Sequence, residues 1–153
     1  MPTYFLDTSA IIKRYLHEDG TRWIRHGVFS AENHLIIARI TQVEVASALA
    51  RRVRGKTLAP KDETALLRLF RQHLRLRLSI IEVDAQRCNE AMLLAHEHGL
   101  RGYDSVQLAC GLYSLGLFRK SELGAAIFLT ADAKLLAAAS AEGLLTDNPE
   151  DHE

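Results

Sequence analysis

Apolar residues follow two alternating patterns along the chain, short continuous runs and longer stretches with spacings of three and four residues. The short runs predict buried strands at residues 3–6, 34–40, 78–83 and 126–130, with a last short one at 144–145. The longer stretches predict helices at residues 9–16, 21–31, 41–54, 60–77, 85–98, 103–118 and 132–142. Apolar strands separated by helices are typical of a mostly parallel sheet with helices on both faces, so we predict an α/β fold.

Length and composition predict the number of domains and the cellular environment. The chain has 153 residues, which predicts a single domain over residues 1–153, and its 48% hydrophobic and 25% charged residues are ordinary for a globular protein. Cys88 and Cys110 lie in apolar helical patterns and are predicted to be buried free thiols. The N-terminal apolar run meets Asp7 too early for a signal peptide or a membrane span, so we expect a cytoplasmic protein with no membrane partner.

Charge is balanced overall but unevenly distributed. The formal net charge is zero, yet residues 39–77 contain ten Lys or Arg and three Asp or Glu. From residue 142 onward the chain carries acids and no Lys or Arg. The basic segment is compatible with phosphate contacts, although solvated helix faces explain any single arginine equally well.

Four acids share one predicted context, at the end of a strand or in the first turn of a helix: Asp7, Glu44, Asp104 and Asp132. A parallel sheet brings strand ends to one edge, so we expect these carboxylates to lie together. Each also has a purely structural explanation. Asp7 suits a helix N-cap, Asp104 and Asp132 suit helix dipoles, and Glu44 suits a capping box with Thr41.

Gathered carboxylates repel one another, by about 4 kcal/mol for a pair about 4 Å apart at an effective dielectric near 20. Either their pKa values rise or a cation holds them. A set of oxygen ligands favours Mg²⁺ or Mn²⁺ over zinc. The four acids therefore indicate metal-assisted hydrolysis of a phosphodiester, with a water activated at the metal.

The segments around these acids resemble the successive motifs of PIN-domain proteins, and most of all the small VapC-type toxins. They are residues 5–10 (FLDTSA), 41–44 (TQVE), 101–109 (RGYDSVQLA) and 128–132 (FLTAD). The similarity extends from the first strand to residues 148–149, and the order and spacing of the acids agree throughout.

The resemblance implies a three-layer α/β/α sandwich with a Mg²⁺- or Mn²⁺-dependent endoribonuclease site. Asp7, Glu44 and Asp104 match the family's core metal-binding acids, and Asp132 matches a more variable fourth position. Three neighbouring hydroxyl residues would orient the carboxylates: Thr8, Ser9 and Thr130. The resemblance also implies a toxin that acts on RNA, forms a homodimer and is blocked at its site by a cognate antitoxin.

Two other functions stay open on the sequence. A non-catalytic module that binds RNA or protein would keep the acids only as helix caps. An aspartyl phosphoryl-transfer enzyme would use Asp7 as its nucleophile, but such enzymes usually have a second Asp two residues on, where this chain has Ser9.

Histidine, tryptophan and arginine residues are further candidates for binding a metal, a base or a phosphate. His96 and His98 are two positions apart and point to different faces of a helix, which disfavours a shared metal. Trp23 is interpreted as core or dimer packing, with base stacking as the alternative, and Arg14 and Arg101 are candidates for phosphate contact.

Overall fold

The computed structural model describes residues 1–121 and 124–153, and its centre is a five-stranded sheet. The strands are β1 (Thr3–Leu6), β2 (His34–Ala38), β3 (Leu78–Ile81), β4 (Ala126–Leu129) and β5 (Leu145–Asp147). Their order is β3-β2-β1-β4-β5, and every described pair is parallel. The predicted α/β class with a parallel sheet is confirmed.

Seven helices surround this sheet in the described chain. They are α1 (Thr8–Ile11), α2 (Thr21–Trp23), α3 (Ile40–Arg54), α4 (Pro60–Leu76), α5 (Ala85–His98), α6 (Gly102–Ser121) and α7 (Ala133–Ala141). A 3-10 turn at Ile12–Arg14 continues α1, a π-helical turn at Ile24–Val28 continues α2, and a 3-10 turn follows at Pro149–Asp151. The two regular helices predicted at residues 9–16 and 21–31 are therefore short and irregular.

Alternating strand residues divide the core between the two faces of the sheet. Phe5 and Phe128 stack with ring centroids 5.3 Å apart on the face covered by α5, α6 and α7. Leu6 and Leu129 point to the opposite face, which packs against residues of α1, α3 and α4. The result is the three-layer arrangement that the resemblance implied.

The strand order reverses beside β1, and this reversal creates the crevice. β1 pairs with β2 on one side and with β4 on the other, with Leu6 opposite Leu129. Asp7 follows β1 directly, and Thr130 follows β4. Helices leave these strand ends in different directions, which leaves an opening at the carboxyl edge between β1 and β4.

Several sequence-based expectations about local structure were wrong. Strand β2 ends at Ala38, because Arg39 already has helical backbone angles (φ −54°, ψ −38°). Cys88 is exposed, whereas Cys110 is buried as predicted. Strand β3 ends at Ile81, two residues before its predicted bound. Helix α3 buries Val45 and Leu49 and leaves Val43 63% exposed.

Within the described part of the chain, no helix has both the length and the apolar character that crossing a membrane requires.

Candidate active site

The four acids singled out in the sequence line one cleft of about 420 Å³ at the carboxyl edge of the sheet. Asp7 comes from the end of β1, Glu44 from the second turn of α3, Asp104 from the first turn of α6, and Asp132 from the start of α7. The fold thus unites residues up to 125 positions apart along the chain. If these acids served only as helix caps or helix-dipole partners, all four would not need to line the same cleft.

Asp7 is the most buried of the four, with 4% of its surface exposed. Its Oδ1 accepts hydrogen bonds from Ser9 Oγ at 2.7 Å and from the Ala10 backbone N–H at 2.9 Å. Its Oδ2 accepts a hydrogen bond from Thr130 Oγ1 at 2.7 Å. Asp7 is therefore a helix N-cap, as the structural explanation proposed, and it faces the cleft as well.

Burial dominates the acidity of Asp7. Loss of hydration raises the pKa of its carboxyl to about 6, and the nearby Asp104 adds to the rise. The hydrogen bonds from Thr130, Ser9 and Ala10 act in the opposite direction, because they stabilise the ionised form. A cation placed beside such a buried carboxyl group would stabilise its ionised form.

Glu44 makes contacts that a capping box does not explain. The residue before α3 is Arg39, which makes no side-chain cap bond, and Thr41 already lies within the helix. Instead, Glu44 Oε1 accepts hydrogen bonds from Thr8 Oγ1 at 2.8 Å and from Gln107 Nε2 at 2.9 Å. These partners belong to α1 and α6, so tertiary contacts orient the Glu44 carboxylate.

Gln107 is a site residue that lies within the 101–109 segment but was not predicted from the sequence. It is 2% exposed, and its amide nitrogen also lies 2.8 Å from Thr41 Oγ1 and 3.2 Å from Thr8 Oγ1. Its carbonyl oxygen is buried without a hydrogen-bond partner in the described structure. Its position three residues after Asp104, on the same face of α6, was the available signal.

Asp104 and Asp132 form the more open side of the cleft. Asp132 is exposed and caps α7, accepting a 2.8 Å hydrogen bond from the Leu135 backbone N–H. Partial burial raises the pKa of Asp104, and the negative charges of Asp132 and Glu44 raise it further. The cations Arg101 and Lys134 oppose this rise.

Hydroxyl groups connect the two sides of the cleft. Ser9 Oγ accepts a hydrogen bond from the Ala131 backbone N–H at 2.9 Å, and Thr130 Oγ1 accepts one from the Asp132 N–H at 3.1 Å. The structure therefore places Ser9 and Thr130 against Asp7 and Thr8 against Glu44. Each of these hydroxyl groups donates a hydrogen bond to a carboxylate. Its oxygen can still accept a hydrogen bond from the backbone or from another side chain.

In the described part of the chain, one group of side chains lies close enough together to share a metal ion directly, and it is outside the cleft. Among the described residues, the group whose ligand atoms all lie within 4.8 Å of one another is Glu97, His98 and Glu142, outside the cleft. His98 Nε2 lies 2.7 Å from Glu142 Oε1, while His96 is exposed on another face of α5.

The basic segment contributes Arg51 and Arg52 to the cleft wall. Arg52 Nη2 lies 3.6 Å from Glu18, another cleft residue, whereas Arg51 is exposed. Arg14, a candidate for phosphate contact, instead lies over the Phe29 ring at 5.5 Å.

Trp23 stacks on His152, with ring centroids 3.9 Å apart, and packs edge-on against Tyr4. These contacts agree with packing, the first of the two interpretations of Trp23.

The chain belongs to the PIN-domain family, because the family model described as PIN domain matches residues 4–146. The fold is similar to the crystal structure of PAE2754 from Pyrobaculum aerophilum, with 26% identity, a TM-score of 0.61, and coverage of 94% of this chain and 88% of that chain. A comparison with curated proteins gave no match. The resemblance to PIN-domain proteins is confirmed.

Two further structures share the fold at lower identity. One is VapBC2 from Rickettsia felis bound to a DNA fragment from their promoter, with 17% identity, a TM-score of 0.62, and coverage of 95% of this chain and 98% of that chain. The other is VapBC-1 from nontypeable Haemophilus influenzae, with 16% identity, a TM-score of 0.55, and coverage of 96% and 98%.

Proposed function

We propose that this protein is a Mg²⁺- or Mn²⁺-dependent endoribonuclease and the toxin of a VapBC-type toxin–antitoxin pair. The observation that carries the proposal is the convergence of Asp7, Glu44, Asp104 and Asp132 on one cleft. The family match supports a nuclease, and the fold likeness to two VapBC structures supports the toxin assignment. We further propose that the chain acts as one domain, in the cytoplasm, as a homodimer.

The donor set fits a hard divalent cation. All four acids offer carboxylate oxygens, the ligands that Mg²⁺ and Mn²⁺ prefer, and the cleft-lining residues include no histidine or cysteine. Burial, and to a smaller extent neighbouring acids, raise the pKa of Asp7 and of Asp104, and a bound cation would favour the ionised form of both. Mg²⁺ keeps several of its waters when it binds to proteins, so it does not require direct contact with every carboxylate of the cleft.

The roles of the residues follow from their burial and their partners. Asp7, Glu44 and Asp104 would hold the ion, and Asp132 at the open side would hold it directly or through water. A bound divalent ion supplies charge neutralisation at the phosphate and lowers the pKa of a water molecule. Thr8, Ser9, Thr130 and Gln107 keep the carboxylates in place, and Arg51 and Arg52 offer positive charge to the RNA backbone.

Cleavage by purified protein tests this proposal. We expect RNA cleavage with Mg²⁺ or Mn²⁺, no cleavage with EDTA, and loss of cleavage in Asp7→Asn and Asp104→Asn with the circular dichroism spectrum unchanged. Asp62→Asn, an exposed acid on α4, is the matched control and should cleave like wild type. Full activity of both site variants would remove the proposed site, and a phosphoenzyme trapped on Asp7 would favour the phosphoryl-transfer alternative instead.

Growth assays test the biological role. Expression of the wild type alone should arrest growth, Asp7→Asn should not, and co-expression of an antitoxin encoded beside the gene should restore growth. Cleavage in vitro without growth arrest would keep the nuclease and remove the toxin assignment. RNA binding unaffected by Asp7→Asn, together with no cleavage by the wild type, would favour the non-catalytic module.

A further inference from the structure

A second, smaller cavity of about 230 Å³ adjoins the acidic cleft. The two openings share Thr8, Glu44 and Arg51 as lining residues, so Glu44 stands on their common wall. Helix α6 contributes to both, since Asp104 lines the cleft and the preceding residue, Tyr103, lines the side cavity. A ligand held by the acids thus has a neighbouring compartment beside it.

The lining of this side cavity differs from that of the cleft. Tyr103 and Val43 are each 63% exposed, which is high for a large aromatic or aliphatic side chain on a folded domain. Ile40 and Ser47 complete the α3 side of the cavity, and Arg51 lies where it opens into the cleft. The cavity therefore combines an exposed aromatic ring, an aliphatic wall and one cation at its junction with the acids.

We propose that this side cavity binds one unpaired base of the RNA, next to the phosphate that is cut, with the base against the Tyr103 ring. This inference rests on the proposed nuclease function and names a binding site for its substrate. A base offers a flat π-face, and stacking on an aromatic side chain is how proteins hold single-stranded nucleic acid without reading its sequence. Arg51, shared by the two openings, contacts the phosphate that joins this nucleotide to the one at the acids.

The same geometry selects single-stranded RNA. A base within an A-form duplex is stacked and paired, and side chains cannot reach its face without unstacking it. An unpaired loop or end can turn one base into the cavity while its phosphate remains at the cleft. We therefore expect a duplex to be cut poorly in comparison with a loop of the same sequence.

Binding by single-site variants tests the proposal without any need for cleavage. In an Asp7→Asn background with Mg²⁺, a fluorescently labelled single-stranded RNA of mixed sequence should bind about 5- to 100-fold more weakly after Tyr103→Ala. Tyr103→Phe should bind as the parent does, because it keeps the ring. Tyr113→Ala is the matched control: Tyr113 is also an exposed tyrosine of α6 but lies over the Arg87 guanidinium, away from both openings.

An abasic substrate then locates the contact. RNA oligonucleotides of one defined sequence, with a single abasic residue moved one position at a time along the strand, should include one position at which Tyr103→Ala has no further effect. If the base at that position stacks on Tyr103, then Tyr103→Ala weakens binding of the other RNAs but not of the RNA that lacks this base. This non-additivity is the coupling that a double-mutant cycle measures. Equal binding by Tyr103→Ala and the parent, or an effect that is the same on every abasic RNA, would overturn the proposal.

The outcomes separate this inference from the nuclease proposal. If the wild type does not cleave but Tyr103→Ala weakens binding with the abasic pattern described, the base site stands and the nuclease proposal fails. If the wild type cleaves and Tyr103→Ala changes neither binding nor cleavage, the base site fails alone. If Tyr103→Ala affects only capture of an antitoxin or of a second copy of the chain, the side cavity is a protein interface and the proposal is wrong.

Discussion

The Gln107 amide donates a 2.9 Å hydrogen bond to the same Glu44 oxygen, Oε1, that accepts the Thr8 hydroxyl at 2.8 Å. Three helices therefore meet at one carboxylate, since Glu44 lies on α3, Thr8 on α1 and Gln107 on α6. Because Gln107 is buried, packing restricts the orientation of its amide, and the amide in turn holds the Glu44 carboxylate in one orientation. Glu44 itself lines the cleft.

Gln107→Met should impair metal use while preserving side-chain volume. Loss of the amide donor frees Glu44 to rotate, so we expect cleavage about 10- to 100-fold slower at low Mg²⁺, with partial recovery at high Mg²⁺. The measurement is the initial cleavage rate as a function of Mg²⁺ concentration. Gln107→His, which keeps a donor, should retain more activity, and Gln42→Met on the exposed face of α3 should behave as wild type.

If Gln107→Met lowered the rate by the same factor at every Mg²⁺ concentration, its role would not be to orient Glu44 for metal binding.

Asp7→Asn should stabilise the metal-free protein in a pH-dependent way. The folded state raises the Asp7 pKa from 3.8 to about 6, so it binds a proton that the unfolded chain releases between these values. Stability from this group is thus fully present below about pH 4 and is lost as the pH rises through about 6. In urea unfolding with EDTA, the advantage of Asp7→Asn should grow over that interval to about 3 kcal/mol at most and then level off.

Saturating Mg²⁺ provides the control for this pH series. A cation at the site stabilises ionised Asp7 and binds the folded wild type, so the advantage of Asp7→Asn should shrink or reverse. An advantage that was constant from pH 4 to pH 8 in EDTA would contradict the raised pKa.

Thr130→Val should destabilise the protein, and more so at alkaline pH. The substitution removes the 2.7 Å donor to Asp7 Oδ2 and the acceptor for the Asp132 N–H at a fully buried position. We expect a loss of about 1–3 kcal/mol at pH 8 and a smaller loss at pH 5, where Asp7 is more fully protonated. Urea unfolding in EDTA measures both, and Thr130→Ser should restore most of the loss; equal losses at the two pH values would rule out the contact with Asp7 as the cause.

Two glycines of α6 should respond in opposite directions to alanine. A Cβ at Gly111 would lie 2.5 Å from the Phe128 ring, so Gly111→Ala should cost about 1–3 kcal/mol through overpacking against β4. A Cβ at Gly116 meets no atom within 4 Å among the residues that the structure describes, so Gly116→Ala should stabilise the helix by about 0.5–1 kcal/mol. Thermal unfolding compares the pair, and a loss of stability in both would indicate a general intolerance of α6 instead.

The order of strands and helices could be predicted because it depends on local hydrophobic spacing. The predicted bounds of α5 agree with the structure at both ends, since Asp84 caps it and Gly99 follows it with positive φ. Strand β2 was predicted two residues too long, because Arg39 is the N-cap residue of α3 and the apolar Ile40 is its first residue. Apolar character alone does not say where the backbone changes direction.

Exposure was harder to predict than element type. Cys88 and Val43 both sit in apolar helical patterns, yet both are exposed. The rotation of a helix about its axis depends on the elements that pack against it. In α3, the face that carries Glu44 contacts α1 and α6 through Thr8 and Gln107. That rotation placed Val43 in the side cavity with Tyr103.

The α/β order, the placement of Asp7, Glu44, Asp104 and Asp132 at strand ends and helix starts, and the PIN-family resemblance could all be predicted from the sequence. Each depends on short segments whose residues lie within one or two turns of each other. The tertiary structure decided that Glu44 bonds to Thr8 and Gln107 and not to its own helix end, and that Tyr103 faces a separate cavity. Those contacts join residues 36 to 63 positions apart, and they exist only once the helices have packed on the sheet.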